Sequence, residues 1–205
     1  MLFNLINVTY SLKQQKILNQ VSFKVNKGQH LLVLGPSGCG KTTLINLMGG
    51  LLRPSLGEIF FEDKNIASVD ENELDIIRAM NFGFIFQRFH LIHHLNVEQN
   101  IMLVQNSIDK KYLDFLIEKV GLKHKKKVLA KHLSFGEAQR VAIARGIANS
   151  PKVIFADEPT SSLDDKNTEM VMNQIFKQVE FSDSTLIVCS HDNRIKIHFK
   201  NILEL

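Results

Sequence analysis

The feature that most constrains this chain is a glycine-rich segment placed between an apolar run and an apolar helical stretch. It matches the pattern G-x-x-x-x-G-K-[ST], and its residues are Gly35, Pro36, Ser37, Gly38, Cys39, Gly40, Lys41 and Thr42. Residues 30–34 before it are a short apolar run typical of a buried strand, which is the context that a phosphate-binding loop requires. Glycines let backbone N–H groups turn around phosphate oxygens, and the following helix N-terminus attracts anions. The motif predicts a nucleoside triphosphate site.

Three side chains at the end of this loop have expected roles. We expect Lys41 to reach the β- and γ-phosphates and the Thr42 hydroxyl to bind Mg²⁺. Thr43 is placed to donate to the α-phosphate.

The rest of the chain alternates apolar runs with helical patterns. Buried strands are predicted at residues 30–34, 82–86, 153–156 and 185–189, and helices at 42–51, 71–80, 137–148 and 166–181. This alternation indicates an α/β fold, a phosphate-loop NTPase core with a mostly parallel sheet and crossover helices. Residues 2–8 and 21–25 alternate in the manner of antiparallel strands. We predict one domain over residues 1–205, with a nucleotide-binding core at about 1–87 and 150–205 and an inserted helical subdomain at about 88–149.

Composition narrows the class of partner. The 25 Lys and Arg residues against 21 Asp and Glu residues give a net charge of +4, which is small for a protein that binds nucleic acid. The two cysteines make no disulfide framework, as is usual in a reducing compartment. No apolar run approaches the roughly 20 residues that span a bilayer, and no secretion signal is apparent. We expect a protein that stays where it is made.

A pair of acidic residues ends the predicted strand 153–156. Asp157 and Glu158 would lie at the carboxyl edge of the sheet, where ligands of open α/β sheets bind. We expect Asp157 to hold Mg²⁺ through water and Glu158 to orient an attacking water. Without the phosphate loop, two exposed acids ending a strand would be the simpler interpretation.

A second helix start has the pattern of a capping box. Ser134 is a typical N-cap, and Glu137 three residues later completes the box. An ordinary well-capped helix explains this pattern, yet the same helix N-terminus is also capable of binding a phosphate.

These motifs, in this order, resemble those of the ATP-binding cassette (ABC) ATPases over essentially the whole chain. The matching features are the phosphate loop, Gln87, the sequence Leu-Ser-Phe-Gly at residues 133–136, the Asp-Glu pair and His191. In that family two cassettes dimerise head to tail around two ATP molecules. The signature helix of one subunit caps the nucleotide held by the other. The resemblance therefore implies that the helix N-terminus after Ser134 binds the ATP of a partner subunit.

The resemblance assigns further residues to the chain's own nucleotide. It implies that Tyr10 stacks on adenine, although a tyrosine after a strand is also a common structural residue. It implies that Gln87 senses Mg²⁺ and the γ-phosphate, and that His191 contacts the γ-phosphate and positions Glu158. An isolated His191 would otherwise be an ordinary surface histidine.

Other residues are implied to serve the partner's nucleotide. Ser134 and Gly136 match the signature contacts to the γ-phosphate, and Ser162 to Asp164 match the loop that communicates across the dimer. One departure stands out: Phe135 occupies the first glycine position of the usual signature, LSGGQ or LSGGE. A side chain is tolerable there if the residue has a negative φ.

The resemblance implies an ATPase motor subunit that uses ATP and Mg²⁺ and forms a homodimer in the ATP-bound state. Residues 84–91, 140–145 and 156–160 are similar to the lipoprotein-releasing and macrolide-exporter group. Such a subunit would lie on the cytoplasmic face of the membrane and drive a separate permease, which sets the substrate. Two other classes stay open: a cytosolic cassette acting on nucleic acid or ribosomes, and a weakly catalytic binding module, which Phe135 favours.

Overall fold

The computed structural model of the protein describes residues 1–104, 109–161 and 163–205. Within them the strands are β1 (Phe3–Leu12), β2 (Gln15–Val25), β3 (Leu31–Leu34), β4 (Leu56–Phe61), β5 (Lys64–Asn65), β6 (Phe82–Ile85), β7 (Val153–Asp157), β8 (Thr185–Ser190) and β9 (Asn201–Glu204). The α-helices are α1 (Lys41–Met48), α2 (Glu71–Asn81), α3 (Val97–Met102), α4 (Lys110–Lys119), α5 (Phe135–Ile147) and α6 (Asp165–Phe181). Short 3₁₀ helices cover Lys123–Lys125, Ala130–His132 and Asn193–His198.

The strands form two sheets. A five-stranded sheet has the order β6-β7-β8-β3-β9, and its neighbouring strands all run parallel in the described residues. A four-stranded sheet has the order β2-β1-β4-β5 and is antiparallel. The predicted α/β architecture, with a parallel core sheet and an N-terminal antiparallel sheet, is confirmed.

The parallel sheet carries a hydrophobic core on each of its two faces. Successive residues of a strand point to opposite faces, so Ile154 packs with α5 and α6 while Phe155 packs with α1 and the antiparallel sheet. Both faces of β7 and β8 are therefore apolar and buried. This arrangement is the reason that these strands read as unbroken apolar runs rather than as alternating ones.

Four phenylalanines join the two sheets. The ring centroids of Phe3, Phe61, Phe82 and Phe155 lie 4.8–6.0 Å apart, mostly in tilted or edge-on arrangements. Phe3 and Phe61 come from the antiparallel sheet, whereas Phe82 and Phe155 come from the parallel one. Edge-on aromatic pairs add to the free energy of simple area burial, so this cluster fixes how the sheets meet.

Several element boundaries differ from those predicted. Helix α1 ends at Met48 because Gly49 and Gly50 follow it, and Gly50 has a positive φ. Helix α5 begins at Phe135, two residues before the predicted start, because Ser134 is its N-cap. Strands β4 and β5 were not predicted individually. The first half of β4 is exposed, which leaves a weak hydrophobic pattern in the sequence.

The described residues between positions 88 and 149 hold α3, α4, α5 and two of the 3₁₀ helices, and no extended strand. The buried side chain of Asn100 organises the segment before α4. Its amide donates to the carbonyls of Ile92, Leu95 and Asn96, and its oxygen accepts from the Ile92 N–H. Among the helices that the structure describes, none has both the length and the apolar composition needed to cross a membrane.

Helix α5 meets strand β6 backbone to backbone. A Cβ added at Gly83 would lie 1.9 Å from the carbonyl oxygen of Gly146 and 3.0 Å from the ring of Pro151. No side chain fits at Gly83 without moving the helix away from the sheet. This contact sets the position of α5, and with it the position of Ser134.

We therefore expect Gly83→Ala to lower the free energy of unfolding by about 3 kcal/mol, since the added methyl overlaps backbone atoms that cannot rotate away. Chemical denaturation measures the change. Gly136→Ala is the matched control, because its methyl would meet only the Arg140 guanidinium at 3.6 Å. Equal stability of the two variants would contradict the close packing.

Candidate functional site

An open pocket of about 380 Å³ lies at the carboxyl edge of the parallel sheet. The loops that follow β3, β6, β7 and β8 all reach this edge because their strands run in the same direction. The residues that line the pocket are Ile17, Ser37, Gly38, Gly40, Lys41, Thr42, Thr43, Gln87, Glu158 and His191. Motif residues spread over more than 150 positions of sequence therefore share one cavity.

The phosphate loop turns sharply into α1. Gly38 and Gly40 have φ values of 83° and 105°, which side-chain-bearing residues rarely adopt. A Cβ at Gly40 would also lie 2.8 Å from the Leu18 side chain of β2. Helix α1 has no side-chain cap and no acidic residue in its first turn, so its N-terminus presents N–H groups to the pocket. Such an end attracts anions.

The ammonium of Lys41 is buried beneath this loop, with only 5 % of its side chain exposed. It donates to the carbonyls of Gly35 and Pro36 at 2.8 and 2.9 Å. It also lies 3.5 Å from Oε1 of Glu158. Because a buried charge is costly unless it is paired, these contacts hold the ammonium at the floor of the pocket.

Asp157 and Thr42 form a second polar pair. The Thr42 hydroxyl donates to Oδ2 of Asp157 at 2.8 Å, whereas Oδ1 is buried and makes no hydrogen bond. Burial raises the pKa of the Asp157 carboxyl. The Thr42 hydrogen bond opposes the rise, the negative charge of Glu158 adds to it, and Lys41 opposes it. A carboxylate oxygen without a partner beside a hydroxyl fits the oxygen ligands that Mg²⁺ prefers.

Glu158 is held from several directions. Its backbone N–H donates to the Cys189 carbonyl at 2.8 Å, and its φ of 48° is unusual for a residue with a side chain. Nδ1 of His191 lies 2.9 Å from both carboxylate oxygens. The Ser190 hydroxyl donates to Oε2 at 3.1 Å. Glu158 and His191 therefore act as one hydrogen-bonded unit beside Lys41.

Gln87 links two of the loops. Its Nε2 donates to the Ser161 hydroxyl at 3.0 Å, which joins the loop after β6 to the loop after β7. The same loop is also held by the buried Arg145 of α5. Its guanidinium donates to the carbonyls of Phe89 and His90, just after Gln87, at 2.6 and 2.8 Å. The loop that carries Gln87 is thus tied both to the acidic loop and to α5.

Several predicted residues lie beside the pocket rather than in its lining. Tyr10 is half-buried in β1 opposite Leu18 and packs against the core, while Ile17 of β2 lines the pocket instead. Sequence reasoning missed Ile17, whose signal was only that of an apolar strand residue. Gly35 and Pro36 line a neighbouring cavity of about 370 Å³ that shares His191, and Cys39 is half-buried with its sulfur beside Gly35.

The predicted signature residues lie apart from this pocket. Ser134 caps α5: its hydroxyl accepts from the Glu137 N–H at 3.3 Å, and its own N–H donates to Glu137 at 2.9 Å. The φ of Phe135 is not positive, as a side chain there requires. Its ring is 58 % exposed and lies 4.9 Å from that of Phe89. Ser134, Phe135 and Gly136 are not among the residues that line the pocket.

The loop predicted to communicate between subunits is only partly described, since Ser162 lies outside the described residues. Asp164 is the N-cap of α6 and accepts from the Asn167 N–H at 2.8 Å. It does not line the pocket in the part of the chain that the structure covers.

Comparison with known proteins gives consistent matches. The ABC transporter family profile matches residues 18–161. An uncharacterized ABC transporter ATP-binding protein of Methanocaldococcus jannaschii is 40% identical over 92% of this chain and 86% of its own length. The lipoprotein-releasing system ATP-binding protein LolD of Buchnera aphidicola is 38% identical over 92% and 87%. The macrolide export ATP-binding/permease protein MacB of Photorhabdus laumondii is 37% identical over 94% of this chain but only 31% of its own.

Solved structures agree with these relatives. A dimer of the ATP-binding cassette MJ0796, in a post-hydrolysis state with ADP and Pi, matches with a TM-score of 0.88 and 32% identity. The match covers 99% of this chain and 94% of that one.

The raised pKa of Asp157 has a consequence for stability. A carboxyl whose pKa rises on folding weakens the folded state above its ordinary pKa of about 4. We expect Asp157→Asn to raise the thermal midpoint of the nucleotide-free protein by about 2 °C at pH 7.5, with a smaller gain as the pH falls toward 4. Asp63→Asn, at an exposed position, is the control. A lower midpoint for Asp157→Asn at pH 7.5 would refute this cost.

Proposed function

This chain belongs to the ABC transporter family as an ATP-binding, ATP-hydrolysing subunit, and on that premise we propose that it powers a separate membrane permease of the export or lipoprotein-release type. The observation that carries the proposal is the convergence of Lys41, Glu158 and His191 on one pocket beside an uncapped helix N-terminus. The reaction is the hydrolysis of ATP to ADP and phosphate.

In this proposal the phosphate loop binds the triphosphate through its N–H groups and Lys41. The γ-phosphate binds beside the Lys41 ammonium. Its negative charge then pairs with the ammonium, as the Glu158 carboxylate does at 3.5 Å without nucleotide. Ser37, Gly38, Gly40 and Thr43 line the same side of the pocket, which supports their assignment to the phosphates. Tyr10 pairs across the two strands with Leu18, the neighbour of the pocket-lining Ile17, which supports Tyr10 as the proposed adenine contact.

Thr42, Asp157 and Gln87 are proposed to hold Mg²⁺. The unpartnered Oδ1 of Asp157 and the adjacent Thr42 hydroxyl support this assignment, because both are hard oxygen donors. When bound, Mg²⁺ neutralises charge on the β- and γ-phosphate oxygens. Among the described residues, no group of three or more His, Cys, Asp or Glu side chains is arranged to hold a metal ion.

Glu158 is proposed to orient the attacking water. Its carboxylate lies at the pocket wall between Lys41 and His191, so a water bound to it faces the site of the γ-phosphate. His191 holds Glu158 through Nδ1 and positions the γ-phosphate with the rest of its exposed ring. Lys41 stabilises the negative charge that develops on the phosphoryl oxygens.

A second copy of the chain is proposed to complete each site. Ser134, Gly136 and Asp164 do not line the chain's own pocket, so they are available to a nucleotide held by another subunit. The similarity to dimeric cassettes supports a head-to-tail homodimer in the ATP-bound state. Closure of two such sites would move the helical subdomain, which we assign to residues 88–149.

The permease is proposed to be a different polypeptide. One relative carries ATP-binding and permease functions in one chain, and this chain corresponds to about a third of its length. We place the protein at the cytoplasmic face of the membrane, with its transported substrate chosen by the permease. The net charge of +4 gives no reason to add a nucleic-acid partner.

The dimer is tested by the mass in solution of Glu158→Gln. Because Gln cannot activate water but keeps the shape of Glu, we expect a dimer with MgATP and a monomer with MgADP. ATP turnover should fall at least a hundred-fold while ATP still binds. Substantial residual turnover would contradict the role of Glu158. If no dimer forms, Phe135→Gly is combined with Glu158→Gln. A dimer of the double variant would show that Phe135 weakens the cap, whereas a monomer would show that the dimer needs its permease.

The phosphate loop is tested by Lys41→Ala. Removal of the buried ammonium leaves the triphosphate without its main counter-charge, so we expect ATP affinity to fall at least a hundred-fold in calorimetry. Lys27→Ala, which removes an exposed lysine paired with Asp183, is the control and should bind ATP normally. Undiminished affinity of Lys41→Ala would sink the phosphate-loop assignment.

A further inference from the structure

Ser190 is a buried polar residue that the motifs do not assign. It ends strand β8, pairs with Leu34 of β3, and is fully buried. Its carbonyl accepts from the N–H of Gly35, the first residue of the phosphate loop, at 3.3 Å. Its hydroxyl donates to Oε2 of Glu158 at 3.1 Å. Ser190 therefore touches both the phosphate loop and the residue proposed to orient water.

The direction of the Ser190 hydroxyl proton follows from its neighbours. The backbone N–H of Asp192 donates to Oγ of Ser190 at 3.0 Å. That N–H is itself fixed, because Asp192 is the N-cap of the 3₁₀ helix Asn193–His198 and accepts from the Arg194 N–H at 2.9 Å. A hydroxyl has one proton, so with its oxygen already accepting from Asp192, the O–H is left to donate to Glu158.

The other side chains that hold Glu158 have a second task. Lys41 lies 3.5 Å from Oε1, and Nδ1 of His191 lies 2.9 Å from both oxygens. Under the proposed function both groups also serve the γ-phosphate, so their hold on the carboxylate changes when nucleotide binds. In the part of the chain that the structure describes, the hydrogen bonds of Ser190 run only to Glu158 and to backbone atoms. Its contact does not depend on whether phosphate is present.

The backbone of Glu158 makes such an anchor useful. Its φ of 48° lies in the left-handed region, and its N–H is bound to the Cys189 carbonyl. The direction of the side chain from this backbone is set by what holds the carboxylate. Apart from Ser190, the phosphate-independent donor in the described residues is the N–H of His191, at the longer distance of 3.4 Å. Both bonds are charge-assisted because the acceptor is a carboxylate, and the bond from the buried Ser190 hydroxyl is the shorter, at 3.1 Å.

We propose that Ser190 is the positioning residue that keeps the Glu158 carboxylate aimed at the attacking water while Lys41 and His191 bind the γ-phosphate. The inference rests on the proposed function, because it takes Glu158 as the group that orients water. It makes Ser190 matter for turnover and not for ATP binding.

The test compares Ser190→Ala with Ser184→Ala. Both remove a buried serine hydroxyl near β8, but Ser184 precedes the strand at its opposite end and donates to the Pro151 carbonyl. For Ser190→Ala we expect kcat to fall at least ten-fold with KM for ATP unchanged within two-fold. In MgATP it should accumulate as a dimer, since hydrolysis is slowed after closure. Ser184→Ala should lose thermal stability to a similar degree yet keep the native kcat.

Ser190→Thr keeps the hydroxyl and should recover more than half of the lost kcat. Its kcat is calculated per ATP-binding molecule, so that unfolded protein does not count. Native kcat in Ser190→Ala would overturn the proposal, as would a loss of kcat matched by a loss of ATP affinity. Failure of the proposed function is separately visible: Glu158→Gln would then hydrolyse ATP at the native rate. Glu158→Gln that is inactive beside a fully active Ser190→Ala would overturn the role of Ser190 alone.

Discussion

The buried ammonium of Lys41 is the charge around which the site is organised. With 5 % of the side chain exposed, it depends on the carbonyls of Gly35 and Pro36 and on the carboxylate of Glu158. A charge buried this deeply is costly unless such partners surround it. The curl of the phosphate loop and the placement of Glu158 are therefore linked: each is part of what makes the position of Lys41 tolerable.

Strand register brings the remaining groups to this charge. Leu34 pairs with Ser190, and Asp157 pairs with Cys189, so the residues that follow these strands emerge side by side. A slip of one residue in either pairing would turn each strand's inward side chains to the other face. The two hydrophobic cores exclude that slip, because alternate residues of β7 are committed to opposite faces. Packing far from the pocket thus determines which polar atoms meet within it.

Much of this could be predicted from sequence, and the reasons differ from one part to another. The strands β3, β7 and β8 were recognisable because burial on both faces leaves an unbroken apolar run, and the phosphate loop because its backbone turn demands glycines at fixed spacing. Strands β4 and β5 were not separately recognisable, since their exposed residues carry no period. Ile17 and Ser190 were missed because their importance arises from contacts between distant segments, and neither residue type is unusual where it stands.

Phe135 lies at the first position of α5, where a side chain points outward and the backbone is already helical. The hydrogen bonds that start the helix belong to Ser134 and Glu137, so the fold places few demands on which residue follows the cap. The residue at position 135, on the surface that this chain would offer to a neighbour's nucleotide, can therefore change without disturbing the cap that supports it. Under the proposed function, divergence at such a position would alter how two copies engage each other, while the hydrogen bonds that begin α5 would stay in place.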